Sequence, residues 1–167
     1  MLQKKVCMLG SFSVGKTSLV RRFVESIFDE KYHTTIGVKV DKKIVKIDPE
    51  EIALVLWDIH GEDAFQKMRM TYLRGMSGYL LVVDPTRRQT LDDALSLQGR
   101  VQETMGPIPW ILVLNKCDLI PEWEIDLEQI GAFERNGQAV IRTSAKTGEG
   151  VEGVFTRLAR AMLHSPS

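Results

Sequence analysis

Gly10-Ser11-Phe12-Ser13-Val14-Gly15-Lys16-Thr17 is the stretch that sets the fold of this chain. It fits G-x-x-x-x-G-K-[ST]. Before it, Val6-Cys7-Met8-Leu9 is a short apolar run of the buried-strand type. After it, Leu19, Val20, Phe23, Val24 and Ile27 recur at helical spacing. A glycine loop between strand and helix has a specific chemistry. Its glycines let the backbone wrap around an anion with several N–H groups converging. The following helix adds the positive end of its dipole. Lys16 can neutralise β- and γ-phosphate oxygens, and the Thr17 hydroxyl can ligate Mg²⁺. The motif points to a nucleotide's phosphates without saying which base they carry.

Outward from the loop, strands and helices alternate. Val38 to Ile47 is half polar, as an exposed edge strand would be, and Asp48-Pro49-Glu50 supplies a turn. Ile52 to Trp57 can return as its hairpin partner. Tyr79 to Val83 and Ile108 to Leu114 are nearly continuous apolar runs, the pattern of strands covered on both faces. Between them Leu91, Ala94, Leu95, Val101 and Met105 mark a helix. A weaker helical pattern spans Trp123 to Phe133 and precedes a short strand near Val140. Val151, Val154, Phe155, Leu158, Ala159, Met162 and Leu163 form the clearest stripe, a core-facing helix. The expected fold is α/β with a mostly parallel sheet and helices on both faces, in one domain over residues 1–164 with 165–167 as a short C-terminal end. Ligands in such sheets sit beyond the carboxyl ends of the strands.

With 167 residues, 44% hydrophobic and 26% charged, the chain can bury a sizeable core rather than remain disordered. Lys+Arg and Asp+Glu are both 22, so there is no excess positive charge to suit nucleic acid or a membrane surface. Cys7 and Cys117 have no paired spacing, which argues for reduced cytoplasmic thiols rather than a disulfide or zinc framework. The first apolar run is too short for a signal peptide or a membrane span.

Asn115-Lys116-Cys117-Asp118 closes the Ile108–Leu114 run. An ionised carboxylate such as Asp118 only accepts hydrogen bonds. Guanine offers N1–H and an amino group to it, whereas adenine presents an unprotonated nitrogen. Asn115 can serve the other base edge or brace the phosphate loop, and the Lys116 stem can lie over the ring. Ser144-Ala145-Lys146 follows the last strand, where the Ala145 N–H can meet the guanine O6. Phe28, beyond the first helix, can cover the base from the side.

With these motifs in this order, the sequence resembles the small GTPases of the Ras superfamily from Val6 to about Leu163, and within them the Rab branch. The resemblance implies a six-stranded sheet with one antiparallel strand and five helices, binding GTP or GDP with Mg²⁺. It carries nucleotide contacts over to Ser13, Val14, Gly15, Lys16, Thr17, Ser18, Phe28, Thr34, Thr35, Gly61, Asn115, Lys116, Asp118, Ser144, Ala145 and Lys146. Metal contacts fall to Thr17 and Thr35, with Asp58 acting through water. Catalytic roles fall to Lys16, Thr35, Gly61 and Glu62. Thr34-Thr35-Ile36-Gly37 matches the first switch, whose threonine at Thr35 touches Mg²⁺ and the γ-phosphate only in the GTP state. Asp58-Ile59-His60-Gly61 matches the second, D-x-x-G, in which the Gly61 N–H meets the γ-phosphate. Ile36-Gly37-Val38, Leu56-Trp57-Asp58 and Tyr72-Leu73-Arg74-Gly75 are similar to Rab sequences. Of the aromatic triad that Rab proteins show to effectors, Trp57 and Tyr72 are present, and Val40 stands where Phe is usual.

Three residues depart from the family beside the γ-phosphate. Glu62 replaces the glutamine that orients the attacking water. An ionised carboxylate only accepts, and it brings negative charge towards an anionic phosphate. Phe12 stands where a small residue is usual and crowds the space of an arginine finger. His60 replaces a residue that is usually Ala, either as a proton-bearing partner or as a solvated loop histidine. Phe65, Met68, Met70, Leu73 and Met76 divide between core and a partner surface. Two functions follow: a cycling GTPase with slow or atypical hydrolysis, or a nucleotide-bound interaction module with little or none. Asp118 argues against an ATPase or kinase. The expected partners are effectors, an exchange factor and an activating protein at the switches, on a monomer. No cysteine follows Cys117, so no prenyl anchor is expected in this sequence, and the expected location is cytoplasmic with recruitment to membranes by partners.

Overall fold

The computed structural model describes residues 1–11, 13–25, 37–60 and 70–164. Among these residues six strands form one sheet: β1 (Leu2–Leu9), β2 (Gly37–Ile47), β3 (Glu50–His60), β4 (Gly78–Val83), β5 (Trp110–Leu114) and β6 (Val140–Arg142). Their spatial order is β2-β3-β1-β4-β5-β6. Only the β2–β3 hairpin is antiparallel, so β2 is the edge strand its half-polar pattern predicts. Four α-helices stand among the described residues, where the resemblance implies five: α1 (Lys16–Glu25), α2 (Arg88–Met105), α3 (Leu127–Arg135) and α4 (Val151–His164).

Alternation along the strands splits the core in two, because successive side chains point to opposite faces. Val6, Met8, Leu54, Leu56, Leu80, Val82, Ile111 and Val113 face α1 and α4. Cys7, Leu9, Tyr79, Leu81, Val83, Leu112 and Leu114 face α2 and α3. Every residue of β4 is buried, which is why its sequence is continuously apolar. On the first face the rings of Phe23 and Phe155 stack with centroids 4.0 Å apart, locking α1 to α4. The α4 stripe is buried from Val151 to Met162 as its periodicity requires. Leu73 and Met76 are core, and Met70 begins a short 3-10 turn, Met70–Leu73, while Phe65 and Met68 lie outside the described residues.

Two boundaries differ from the sequence reading. Strand β5 begins at Trp110 rather than Ile108. Pro109 has no N–H for the ladder and contributes only its carbonyl, which accepts from the Tyr79 N–H at 3.1 Å. Trp123 is not helical. Helix α3 starts at Leu127, capped by the Asp126 carboxylate accepting from the Glu128 N–H at 2.9 Å. Ahead of it, Trp123 sits in a loop with its indole N–H donating to the Lys116 carbonyl at 3.2 Å.

Replacing Phe155 by Ala should remove the ring stack and leave a cavity between α1 and α4, at a cost of ~3–5 kcal/mol. Urea unfolding of the two proteins reads this directly. A loss below about 1 kcal/mol would mean that the stack does not hold the two helices together.

Candidate functional site

Because β1, β3, β4, β5 and β6 run in one direction, their carboxyl ends share one edge of the sheet. Gly10 follows β1, Asp84 follows β4, Asn115 follows β5 and Thr143 follows β6, with Asp58 near the end of β3. The sequence motifs therefore converge here.

At the first turn the backbone takes up conformations that side chains resist. Gly10 has φ +144°, and a Cβ there would collide with the Val82 carbonyl. Gly15 has φ +102°, and a Cβ there would run into the Asn115 amide. Ser13 also lies in the left-handed region, at φ 67°. Positive φ at Ser13 and Gly15, on either side of Val14, is the kind of backbone from which anion-binding nests are built. Lys16, the first residue of α1, is only 7% exposed, and its ammonium donates to the carbonyls of Gly10 at 2.7 Å and Ser11 at 3.1 Å. Burial lowers its pKa to about 8, opposed by the nearby Asp58 carboxylate. The Ser11 hydroxyl donates to Asp93 of α2 at 3.0 Å, tying the loop to that helix.

Thr17 donates its hydroxyl to the buried Asp58 carboxylate at 2.6 Å. These are hard oxygen donors, the kind a small divalent cation such as Mg²⁺ takes. Among the described residues no group of three or more His, Cys, Asp or Glu side chains could hold a metal by itself. A cation here suits Thr17 and Asp58 with the remaining oxygens coming from a phosphate ligand. Ser18 is half-buried in the first turn of α1, and Val14 is fully buried beneath the loop.

Asn115 braces the phosphate loop. Its amide N–H donates to the Val14 carbonyl at 3.0 Å, and its carbonyl oxygen accepts from the Thr143 hydroxyl at 3.1 Å. Both alternatives left open by the sequence used this residue, and both polar ends are engaged in the bracing one. The Thr143 N–H donates to the Leu114 carbonyl and the Cys117 N–H to the Thr143 carbonyl, each at 2.9 Å, so the two base-motif turns are sewn together. Ser144 donates its hydroxyl to the exposed Asp118 carboxylate at 2.7 Å. Ala145 is buried beside it and Lys146 is exposed. Cys117 donates its thiol to Glu149 at 2.8 Å. Burial and that carboxylate push the Cys117 thiol up to about 12, and burial does the same for Cys7, so both stay protonated thiols.

Sequence reasoning passed over Asp84. It is 1% exposed and accepts from the Lys116 ammonium at 2.6 Å, Arg87 Nε at 3.0 Å, and Thr86 N–H and hydroxyl at 3.0 and 2.6 Å. Burial would raise its carboxyl, but the hydrogen bonds from Lys116, Thr86 and Arg87 outweigh it and hold it below the usual carboxylate value. A signal was present: like Asp58 and Asn115, it is a polar residue closing an apolar strand. Thr143 and Glu149 were missed too, as ordinary loop residues until the fold brings them to the motif.

Beyond this edge, Val40 and Trp57 pair across the β2–β3 hairpin. Val40 is 50% exposed, and the Lys5 ammonium lies 3.7 Å from the Trp57 ring centroid while donating to the Arg74 carbonyl. Tyr72 packs half-buried in the same region. Phe12, Phe28, Thr34, Thr35, Gly61 and Glu62 lie outside the described residues, as does the side chain of His60. No described helix is long and apolar enough to cross a membrane.

The sequence profile of the Ras family matches residues 5–164. The chain is 35% identical over 161 residues to Ras-related protein Rab-4 of Dictyostelium discoideum, covering 95% of this chain and 78% of that protein. It is 33% identical over 162 residues to Ras-related protein Rab-4B of Homo sapiens and of Rattus norvegicus, covering 96% of this chain and 76% of each.

Thr143→Val keeps the shape of the side chain but leaves the buried Asn115 carbonyl oxygen without its donor. The expected loss is ~1–3 kcal/mol of folding stability, read from the denaturant midpoint. An unchanged midpoint would show that the Asn115 bridge is not under that constraint.

Proposed function

The chain belongs to the Ras family of small GTP-binding switch proteins, near its Rab branch, and on that premise we propose that it cycles between GTP and GDP states with slow, atypically organised hydrolysis. Proteins of this family bind GTP or GDP with Mg²⁺, hydrolyse GTP, and answer to regulators and effectors. The observation that carries the proposal is the Asn115 brace. It ties a phosphate-type loop to the turn that carries Asp118, whose carboxylate is held in turn by Ser144.

In this reading the nest of Ser13, Val14, Gly15, Lys16, Thr17 and Ser18 receives the phosphates through backbone N–H groups and the Lys16 ammonium. Thr17 and Thr35 would hold Mg²⁺, with Asp58 reaching it through water, and a cation held there would supply charge neutralisation for the phosphates. Asp118 accepts from the guanine N1–H and amino group. Ser144 fixes that carboxylate from the neighbouring turn, so it meets the base already aimed. Ala145 supplies its N–H to the base, with Lys146 beside it and Phe28 at the side. Thr34, Thr35 and Gly61 sense the γ-phosphate.

Glu62 is the reason for slow hydrolysis. Without an amide donor it cannot hold a water and a phosphate oxygen together as glutamine does, and its charge opposes the anion. Phe12 and His60 add bulk and a titratable ring next to the same phosphate. The second reading, a nucleotide-bound module that barely hydrolyses, draws on the same three residues. Effectors meet the switches and the adjoining Val40–Trp57–Tyr72 surface, where Lys5 over Trp57 and Val40 in place of an aromatic alter what they read.

Two measurements check this. Nucleotide extracted from the purified protein should be guanine nucleotide. GDP with measurable phosphate release supports cycling, persistent GTP supports the module, and ATP or nothing overturns the reading. In single-turnover hydrolysis, Glu62→Gln should be about tenfold faster than the wild type, roughly 1.4 kcal/mol of barrier. Equal rates would show that Glu62 is not what limits the reaction.

A further inference from the structure

Asp84 holds more donors than a strand-end carboxylate needs. Oδ1 accepts from the Thr86 N–H and hydroxyl, and Oδ2 accepts from Arg87 and Lys116. Its own N–H donates to Thr90 Oγ1 at 3.0 Å, and the Thr90 hydroxyl donates back to its carbonyl at 2.8 Å. The carboxylate is therefore held at both oxygens. It is anchored to the start of α2, and its remaining reach is directed at a single flexible partner.

That partner is Lys116, which is held at both ends. Its backbone lies in the left-handed region at φ 64°, its carbonyl accepts from the Trp123 indole, and its ammonium is bound to Asp84 across the gap between the ends of β5 and β4. The side chain between these points remains 35% exposed at the ligand edge of the sheet. A free lysine stem is among the most mobile side chains, and ordering it at the moment of binding weakens a complex. A stem already stretched between two fixed points is an apolar ledge ready for the flat face of a ring.

We propose that Asp84 is a positioning residue for the nucleotide base, acting by pinning the Lys116 ammonium so that the lysine stem is preorganised as the platform on which the base rests. The proposal rests on the reading above that this edge takes a guanine nucleotide. It predicts slow release of bound nucleotide rather than faster chemistry, because Asp84 acts through Lys116 of the base-reading motif. It also separates the two cations on the carboxylate. Arg87 holds Asp84 in place, while Lys116 transmits that placement to the ligand.

The test is release of a fluorescent GDP analogue from the full chain, followed by stopped flow for the wild type, Asp84→Asn, Lys116→Met and the double variant. Each single variant should release the analogue about tenfold faster, since each breaks the same charged hydrogen bond. The double variant should be no faster than the faster single one, because both substitutions remove one interaction. Single-turnover hydrolysis of bound GTP should stay at the wild-type rate in Asp84→Asn. Wild-type release from Asp84→Asn, or effects that multiply in full in the double variant, would overturn the proposal and leave Asp84 a fold-stabilising residue only. If Asp84→Asn does not fold, Lys116→Met carries the test. It retains the apolar stem and lacks only the ammonium, so release at the wild-type rate overturns the proposal equally. Failure of the wild type to bind the analogue at all would instead refute the guanine-nucleotide reading.

Discussion

The buried amide of Asn115 reaches the phosphate loop in one direction and β6 in the other, and the arrangement of the edge depends on it. Its N–H group donates to Val14 and its oxygen accepts from Thr143, so three separate segments share one planar group. Such a bridge tolerates little displacement. A buried amide that loses either partner bears the full cost of desolvation. Gly15 is part of the same constraint, since any side chain there would occupy the space of the amide. The distance between loop and base motif is thereby set by protein hydrogen bonds rather than left to a ligand.

Around that bridge, polar groups at the strand ends are paired across elements rather than within them. Thr17 meets Asp58, Ser144 meets Asp118, Cys117 meets Glu149 and Lys116 meets Asp84. Each pair joins residues far apart in sequence, at a sheet edge where strands stop and their backbone groups need partners. The result is a rim of oriented donors and acceptors over a floor of buried apolar side chains. Lys16 shows the cost of this design. Its ammonium is buried among carbonyls, with its pKa lowered to about 8, at the point where a ligand's negative charge would be best rewarded. The Ras-family assignment explains why such an edge is maintained, because a switch protein must hold its nucleotide long enough for partners to read it.

Much of this was legible in the residues alone. Alternating apolar runs predict the alternation of strands and helices, and the half-polar run at Val38–Ile47 marks the edge strand by its pattern alone. The motifs Gly10–Thr17, Asp58, Asn115–Asp118 and Ser144–Lys146 are local, since each depends on spacing within a few residues. Two boundaries escaped for local reasons as well. Pro109 removes a donor from the expected start of β5, and Asp126 caps α3 after Trp123 has turned away to Lys116.

Periodicity and motif spacing are properties of short segments, so the residues alone specify the chemical groups, the α/β class and the family. The tertiary structure alone decided how those groups are used. Asn115 became a brace because Val14 and Thr143 arrive on either side of it, and Asp84 joined the base motif because parallel neighbours β4 and β5 end at the same level. Those contacts join residues 28 to 101 positions apart, and no local pattern encodes a pairing at that range.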